Sequence, residues 1–580
     1  MPHLRPYAGR WVALVAGRVA GSGRTPAEAR QMAQRNRPKE RPQVAFVEPK
    51  GHQLTGLTLS PLLRKLAPLF SARPPVYLVG GAVRDALLGR ASHDLDFATG
   101  GDALQLARSV ANTLQGAFYV MDAKRGTARV ILGDTELDFA RFRGGDLLDD
   151  LRERDFTINA MALPVGAPNA GAIIDPLGGQ NDLAAGLIRA TGPAAIHQDP
   201  IRGLRAVRQA AQLGFSILPH TRALVRAAAG QLPSVSTERI RDEFMRLLAA
   251  PHPAESLRRL DSLDLLPHVL PELVAAKGVV QSPPHTTDVF EHSLLVVEAL
   301  ESLLAPHMYE AKAKPQIFCS QRLWQPTSRS RGPAGVTDPF RARNLGGKAF
   351  SLIRMGGAPL SPYASRLATH LARPSAGPRN GRMLLFLAAL LHDVGKPETR
   401  SVDKDGRIRF YAHEQVGAAL AGRRAKRLAL STDEVRQVHT LVRHHMRPAW
   451  LSKSSSAARL SRRAIYRFFR DVGENGLDIC LLCLADALGK GAPPDPEEWD
   501  RRVRTVTTLL EHYFNHYHET ISPPPLLDGR ELMAALNLSP GPTVGQLLRL
   551  IKEAQAAGQI NTLDGALALA RQAYTSLPQA

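Results

Sequence analysis

The sequence is poor in cysteine and in long apolar runs. Three cysteines in 580 residues, Cys319, Cys480 and Cys483, are too few for the disulfide framework of a small secreted protein. Cys480 and Cys483 form a CxxC pair within an apolar run of helical spacing, which favours core residues over a redox pair. No apolar run approaches the roughly 20 residues of a membrane span, and residues 1–10 lack the core of a signal peptide. We therefore expect a cytoplasmic protein that does not enter membranes.

Acidic residues are also scarce relative to basic ones. The chain has 74 Lys and Arg against 53 Asp and Glu, a formal net charge of +21. Such an excess suits a partner with many phosphates, because each neutralised phosphate releases counterions; a generally basic proteome is the alternative. Residues 305–382 contribute thirteen basic residues against two acids. They are rich in Pro, Gly and Ser and too long for an ordinary loop, which predicts a mostly disordered insertion, either a basic arm for RNA or a solvated segment.

The periodicity of the chain predicts a multidomain α+β protein. The pattern of residues 1–50 predicts a small β-hairpin-plus-helix module, with one strand over residues 11–19 and a turn at residues 21–23. Residues 60–190 alternate strand and helix, which predicts a head with a mixed β-sheet and helices. Helical patterns predict a neck over residues 191–275, a domain built from residues 285–304 and 383–490, and a tail over residues 491–580.

The first candidate site combines glycines with paired acids. Gly80 and Gly81 follow a short apolar strand and open a helix, an arrangement that lets the backbone approach a phosphate. Asp94 and Asp96 lie two residues apart on a strand, so both carboxylates share one face. Asp138 on a later strand offers a third acid. Such hard oxygen ligands suit Mg²⁺ in a two-metal site for phosphoryl transfer; a solvated strand edge with paired charges is the bland alternative.

Five ordered blocks resemble the class II bacterial tRNA nucleotidyltransferase and poly(A) polymerase family. They lie at residues 80–96, 154–162, 175–183, 199–208 and 236–243, within a span of about 165 residues. The resemblance implies that a head motif, a ribose-recognition motif, a head–neck hinge, a nucleotide-template motif and a helix motif follow one another. It also implies CTP and ATP as substrates and tRNA, or another RNA 3′ end, as the acceptor.

The resemblance also implies roles for single residues. Asp94, Asp96 and Asp138 would carry catalysis and bind Mg²⁺, and Arg154 with Asp155 would sense the ribose. Asp199 and Arg202 would read the base edge through complementary acceptors and donors. The nucleotide-binding set as a whole comprises Gly80, Gly81, Arg84, Arg154, Asp155, Asn159, Asp199, Arg202, Arg205 and Arg208.

Two positions depart from the family pattern. Gln198 stands where the template motif usually has Glu, and Glu153 stands where the ribose motif usually has the first of two arginines. The Asp and Arg that would contact the base are present, so we expect activity. Base selectivity is the property that these departures affect.

The second candidate site gathers histidines and acids in the helical domain. His392 and Asp393 end an apolar helical run, His292 begins another helix, and Asp486 lies inside an apolar helix where an unpaired carboxylate would be costly. His413, His444 and His445 add imidazoles. This donor set suits Mn, Ni, Fe or Mg. The order His292, His392-Asp393, Asp486 resembles the HD phosphohydrolase superfamily, which implies a metal site and, as substrates, 2′,3′-cyclic phosphates or phosphate monoesters.

These patterns leave several functions open. The leading hypothesis is a CTP- and ATP-using tRNA 3′-end nucleotidyltransferase. A specialist that adds only C, only the terminal A, or a poly(A) tail would carry the same motifs. Alternatively, the HD domain is the working part, as a phosphohydrolase with an RNA-binding head. The retained acids argue against a non-catalytic RNA-binding protein.

Overall fold

The computed structural model describes residues 10–15, 18–23, 26–38, 40–47, 61–70, 75–165, 172–310, 360–454 and 460–576. The chain forms two compact units. One contains residues 1–251 and 258–269, and the other contains residues 252–257 and 270–580. In the described part of the chain, no helix is long and apolar enough to cross a membrane.

The N-terminal module is a three-stranded antiparallel sheet with one helix. Its strands β1 (Arg10–Val15), β2 (Arg18–Gly23) and β3 (Gln43–Val47) have the order β2-β1-β3, and the helix is Pro26–Asn36. The predicted single strand over residues 11–19 is wrong, because the chain reverses between β1 and β2. The predicted turn at residues 21–23 is a strand: a Cβ on Gly21 would lie 2.4 Å from the Ala33 nitrogen, so glycine lets β2 lie against the helix.

The head contains a six-stranded mixed sheet, as predicted. Its order is β6-β7-β8-β5-β4-β9, and only the β5–β8 pair among these neighbours is parallel. The strands predicted before Gly80, at Asp94 and Asp96, and at Asp138 are confirmed as β4, β5 and β8. The strands are β4 (Val76–Val79), β5 (Asp94–Thr99), β6 (Ala117–Asp122), β7 (Thr127–Leu132), β8 (Thr135–Arg141) and β9 (Ala162–Val165).

One face of the head sheet is buried along β5 and β8. Phe97 of β5 and Phe139 of β8 stack at 4.9 Å between ring centroids, and Phe70 from the helix Pro61–Phe70 meets Phe97 edge-on at 5.7 Å. The helix Ala103–Leu114 packs against β7 and β8, and it starts at Asp102, whose side chain accepts from the Leu104 nitrogen at 3.0 Å. Because strand side chains alternate, Asp94 and Asp96 lie on the opposite face.

The neck is mainly helical but not entirely so. A short parallel pair, β10 (Leu187–Ile188) with β11 (Ser216–Ile217), interrupts it. Gly214, with φ of 74°, ends the preceding helix in the left-handed conformation, and the chain then turns into β11. Helices that complete the head and neck are Gly81–Leu87, Leu147–Arg152, Gly179–Ala185, Ala195–Gln198, Ile201–Leu213, Pro219–Ala228, Thr237–Ala249, Pro253–Ser262, Leu266–Val269 and Pro271–Val274.

The helical domain differs from the prediction at two places. The segment 305–382 is structured at both ends, because the helix Val289–Glu310 runs past residue 304 and the helix Ala364–Ala372 follows residue 360; residues 311–359 lie outside the described residues. A hairpin of β12 (Arg400–Val402) and β13 (Ile408–Phe410) interrupts the helices, closed by a turn in which Asp403 accepts from the Arg407 nitrogen at 2.8 Å. The remaining helices are Gly381–Leu391, Lys396–Thr399, His413–Arg427, Thr432–His444, Arg447–Ser454, Arg462–Val472 and Asn475–Leu488.

The tail is helical, as predicted. It comprises Pro496–Asn515, a π-helical turn at Tyr517–Ile521, and the helices Gly529–Leu536, Pro542–Ala556 and Leu563–Ser576. The last three share a small apolar core that includes Leu532, Leu547 and Ala566. Cys480 and Cys483 are buried in the helix Asn475–Leu488, as core residues should be.

Candidate functional sites

The predicted carboxylates of the head lie side by side on the open face of the sheet. In the parallel β5–β8 ladder, Asp96 pairs with Asp138, and Asp94 pairs with Glu136. Residues paired directly across two strands point to the same side. Burial raises the pKa of Asp96, and the nearby Asp138 and Asp94 raise it further, although the charge of Arg154 acts against them. This crowding of acids fits a divalent cation.

Arg129 on β7 is a part of this face that no motif indicated. Its guanidinium donates to both Asp138 oxygens at 2.7 Å and also pairs with Glu136. Asp138 is therefore bound bidentately by a cation, whereas no ion pair within the described residues involves Asp94 or Asp96. A metal bound by Asp138 would share or replace the contact with Arg129.

The glycine turn brings the backbone close to the acids. Gly80 has φ of 73°, and a Cβ there would lie 3.1 Å from both an Asp96 oxygen and an Arg154 nitrogen. Glycine is therefore required at this position for conformation and for space. Arg84 in the next helix donates to Asp85 at 2.9 Å and to the Asn159 side-chain oxygen at 2.6 Å.

The ribose motif is held by two side chains that were not predicted. Arg154 donates to a single Asp150 oxygen at 3.0 and 2.8 Å, and Asp150 is buried. Asn159 donates to Asp155 at 2.9 Å and to Gln209 at 3.1 Å. Gln209 lies 50 residues from Asn159, so only the tertiary structure reveals it, whereas the spacing of Asp150, four residues before Arg154, was a usable local signal.

The neck helix Ile201–Leu213 carries two arginines that bind buried acids, Asp155 of the head and Glu243 of the neck. Arg205 donates to Asp155 at 3.2 Å and to Glu243 at 3.1 Å, while Arg208 donates to Glu243 at 2.6 Å. Burial alone would raise the pKa of Glu243, but the charges of Arg208 and Arg205 outweigh burial and lower it. The same balance lowers the pKa of Asp155, with Arg205 as the main opposing charge. Both acids are therefore anionic anchors for the arginines.

The template pair adopts an arrangement that the resemblance did not indicate. Asp199 accepts from Arg239 at 2.7 Å, and the Arg202 Nε lies 3.9 Å from the same carboxylate. The Arg202 guanidinium donates instead to the backbone oxygens of Glu153 at 2.7 Å and Ala195 at 2.9 Å. Burial lowers the pKa of Arg202, and its Nε is buried with no hydrogen-bond partner. Arg239 lies in the helix motif at residues 236–243, for which the resemblance implied no role of this residue.

A cleft of roughly 530 Å³ gathers nearly all the predicted residues of the head. Asp199 alone of the predicted set does not line it, because its side chain faces Arg239. Seven arginines line the same cleft as the carboxylates, a charge suited to a triphosphate. They are Arg84, Arg143, Arg154, Arg202, Arg205, Arg208 and Arg246.

The second candidate site brings together all four predicted ligands. The His292 Nε2 lies 3.3 Å from Asp393 and 3.2 Å from Asp486, and the His392 Nε2 lies 3.2 Å from Asp393. His413 lies 3.4 Å from the other Asp393 oxygen, and His445 also belongs to the cluster.

The donors of this second site form two groups of three. One contains His292, His392 and Asp486, and the other contains Asp393, His413 and His445. The cluster excludes His444, which was also a candidate.

The histidines of this site are oriented as metal ligands are. The Nδ1 atoms of His292, His392, His413 and His445 lie 2.7 to 3.0 Å from backbone carbonyl oxygens. Each ring therefore turns Nε2 towards the acids, as a metal-bound imidazole does when its other nitrogen donates to a backbone carbonyl. Three of these Nε2 atoms are buried without a hydrogen-bond partner, which fits one or two divalent metals.

The mouth of this site carries cations and an exposed indole. A cavity of about 140 Å³ is lined by Asp393 and Asp486 together with Lys396, Lys453, Lys490 and Arg502. Lys396 donates to Asp393 at 2.6 Å, whereas Trp450 at the rim is 49% exposed. The cavity has room for a phosphate next to the ligands, and the cations suit an anion.

Comparison with known families covers both sites. A family described as "Poly A polymerase head domain" matches residues 76–148 and 144–189. A family described as "Probable RNA and SrmB- binding site of polymerase A" matches residues 214–277, and the HD domain family matches residues 363–490.

Curated relatives match over most of their length. The A-adding tRNA nucleotidyltransferase of Deinococcus radiodurans is 34% identical over 86% of this chain and 96% of the relative. The CC-adding tRNA nucleotidyltransferase of Thermus thermophilus is 31% identical over 84% of this chain and 92% of the relative. Among solved structures, the Thermotoga maritima CCA-adding enzyme complexed with tRNA is 20% identical with a TM-score of 0.51, covering 89% of this chain and 96% of that one. It supports the fold.

Proposed function

Because the chain belongs to the family of bacterial tRNA nucleotidyltransferases and poly(A) polymerases, we propose that its head adds C, A or both, from CTP and ATP, to the 3′ end of tRNA. The observation that carries the proposal is the placement of Asp94 and Asp96 on one sheet face, between Gly80 and an arginine-lined cleft. That face can bind cations, and the cleft can bind a triphosphate.

Asp94 and Asp96 would hold two Mg²⁺ ions, with Asp138 as a further ligand. When bound, such ions activate the 3′ hydroxyl and stabilise the leaving pyrophosphate. The residues of the chain position the reactants: Gly80 admits the nucleotide close to the sheet, and the arginines of the cleft bind its phosphates.

The ribose and the base would be recognised next to the phosphates. Asp155 and Asn159 are fixed by Arg205 and Gln209, so they can offer acceptors and donors to ribose hydroxyls without rearrangement. Asp199 and Arg202 would read the base edge. For this, Asp199 has to leave Arg239, and Arg202 has to offer its unpartnered Nε or release a backbone oxygen.

Two substitutions test the proposed site. Asp94→Asn with Asp96→Asn removes both charges and keeps the shape of the side chains. We expect the incorporation of CTP and ATP into tRNA to fall by roughly 10³-fold or more, because preorganised charge stabilisation supplies much of such a rate. Asp102→Asn, an exposed helix cap in the same domain, is the control. Incorporation that survives in the double variant would refute the assignment of these carboxylates.

The second site favours a second activity, hydrolysis of 2′,3′-cyclic phosphates or phosphate monoesters. The two groups of ligands, with Asp393 shared between contacts to His292 and His413, favour two divalent ions such as Mn, Ni or Fe. When loaded, such a centre would activate water for attack on a phosphate. Lys453, Lys490 and Arg502 would bind the phosphate.

The activity of the second site is tested by removing ligands. His392→Ala with Asp393→Ala should abolish the hydrolysis of 2′,3′-cyclic AMP by the Mn²⁺-loaded protein and leave nucleotide incorporation intact. Hydrolysis that persists in this variant would come from elsewhere. A wild-type protein that hydrolyses neither substrate class with Mn²⁺, Ni²⁺ or Fe²⁺ would exclude the second activity.

Enzymes that add only C, only A or the whole CCA end share these motifs. Full-length relatives include an A-adding and a CC-adding enzyme, and the two departures, Gln198 and Glu153, lie next to the base- and ribose-reading residues. The substrates CTP, ATP and tRNA would place the reaction in the cytoplasm.

A further inference from the structure

The catalytic face of the head sheet continues beyond Asp138 onto strands that no motif covers. Asp138 pairs with Asp96 on one side and with Arg129 on the other. Arg129 in turn pairs with Tyr119 on the edge strand β6. Residues paired across neighbouring strands point to the same side, so these side chains form one row. The row ends at Tyr119, three strand spacings of about 4.8 Å from Asp96.

Tyr119 is exposed at the end of this row. Its relative exposure is 52%, which is high for an aromatic side chain in a sheet. The preceding residue, Phe118, points to the other face, where the Arg108 guanidinium lies 4.4 Å from its ring centroid. Arg108 belongs to the helix Ala103–Leu114, which covers that back face. The ring of Tyr119 therefore lies on the open side, together with the carboxylates.

The in-line geometry of the transfer reaction indicates from which side the RNA approaches the carboxylates. The proposed nucleotide site lies towards β4, where Gly80 and Arg84 follow the strand, and β4 and β6 are on opposite sides of β5. Nucleotidyl transfer places the attacking and leaving oxygens roughly in line. The RNA 3′ hydroxyl should therefore reach Asp94 and Asp96 from the side of β8, β7 and β6.

Arg129 makes this approach electrostatically possible. Glu136 and Asp138 would otherwise repel the phosphates of an incoming strand, and Arg129 pairs with both. Lys124 and Arg125 in the hairpin after β6 add exposed cations, with Arg125 85% exposed at its side chain.

We propose that Tyr119 and Arg129 form a docking strip for the nucleotides next to the 3′ end of the acceptor RNA, with the Tyr119 ring stacked on a base. The proposal rests on the proposed function of the head and names the part of it that binds the acceptor. Base–aromatic stacking tolerates any base, which suits an acceptor end that changes as nucleotides are added.

The test compares three single variants with the full-length wild type. Tyr119→Ala removes the ring, Tyr119→Phe keeps it, and Val120→Ala changes the neighbouring side chain, which is 48% exposed on the other face. We expect Tyr119→Ala to raise the Kd and the KM for tRNA lacking CCA by roughly fivefold or more, the range for loss of one stacked base. The KM for CTP and ATP should stay at the wild-type value, and the other two variants should resemble wild type in all constants.

Two results would overturn the docking strip. One is a Tyr119→Ala variant with wild-type Kd and KM for tRNA, and the other is an equal loss in Val120→Ala, which would indicate a general effect of the edge strand. Thermal unfolding confirms that each variant is folded. Failure of the proposed function looks different: the wild type would bind tRNA and incorporate nothing, and the Kd series would still decide the role of Tyr119.

Discussion

Single side chains outside the recognised motifs give the head site its shape. Glu243 ties Arg205 to Arg208, Asp150 fixes Arg154, and Arg129 binds Asp138. The contacts of Glu243 and Arg129 join separate elements, so no local pattern indicates them, whereas Asp150 lies four residues before Arg154, a local spacing at which opposite charges pair. The residues that the sequence did predict are the ones that would touch substrate or metal, whereas most of those that hold them in place required the tertiary structure.

Glu243 provides a first prediction at this scale. Glu243→Gln keeps the shape but removes the buried charge between two arginines, so we expect a loss of roughly 3 kcal/mol in the free energy of unfolding and a several-fold higher KM for nucleotides. Because the pKa of Glu243 is lowered in the fold, its contribution is present above the ordinary value of 4.5 and lost as the pH falls below it. The free energies of unfolding of the variant and the wild type should therefore converge in acid. Glu238→Gln, exposed on the same helix, should have little effect.

Arg129 provides a second prediction. Arg129→Met removes the cation bound to Asp138 and Glu136, so the face becomes more negative and should bind divalent ions more tightly. Mn²⁺ titration followed by electron paramagnetic resonance should show a lower Kd than in wild type. Arg125→Met, at the exposed hairpin, should leave the Kd unchanged. Equal or weaker Mn²⁺ binding in Arg129→Met would mean that Arg129 does not compete with the metal.

At the scale of elements, long periodic segments were predictable and short ones were not. The strands β5 and β8 lie where the sequence placed the acids, and the Asp-x-Asp spacing places two carboxylates on one face. The pairs β10–β11 and β12–β13 contain only two or three residues per strand, too few for a period to show. The turn Asp403 to Gly406 was a usable signal for the second of these pairs.

Close packing of two helices supports the second site. A Cβ on Gly395 would lie 2.2 Å from the His413 oxygen and 2.6 Å from the Gly417 nitrogen, so the helix that starts at Lys396 touches the helix of His413 directly. We expect Gly395→Ala to displace His413 from Asp393 and to lower the Mn²⁺ content of the loaded protein, without reducing nucleotide incorporation.

Gly422→Ala is the matched control for this substitution. Gly422 lies in the same helix as His413, and a Cβ there would meet only the His439 side chain at 3.6 Å, an ordinary contact. The variant should keep its metal and be as stable as wild type or more so, since alanine favours helix. Equal Mn²⁺ contents in the two variants would contradict the packing argument.

At the scale of the whole molecule, charge and domain order were readable from the sequence. Head, neck, HD domain and tail follow from ordered motifs, while the basic segment was placed too broadly, since residues 360–382 contain helices. Residues 311–359 keep nine of the basic residues and one acid. Their effect on RNA binding is a property of net charge, so it can be tested through ionic strength.

Replacing residues 311–359 with a neutral Gly-Ser segment of the same length provides the prediction at this scale. If the basic residues contact RNA phosphates, the slope of log Kd for tRNA against log salt should become shallower by about 0.9 for each lost contact. A neutral segment of equal length controls for chain connectivity. An unchanged slope would contradict the hypothesis of a basic arm for RNA and would favour a solvated insertion.

The central claim, nucleotide addition by the head, is tested most directly by an incorporation assay. Purified protein with Mg²⁺ would receive three labelled tRNAs, ending before CCA, after one C and after two Cs, with CTP and ATP separately and together. The account predicts addition of C, of A or of both, at the positions that complete CCA. Incorporation into none of the three tRNAs would contradict it.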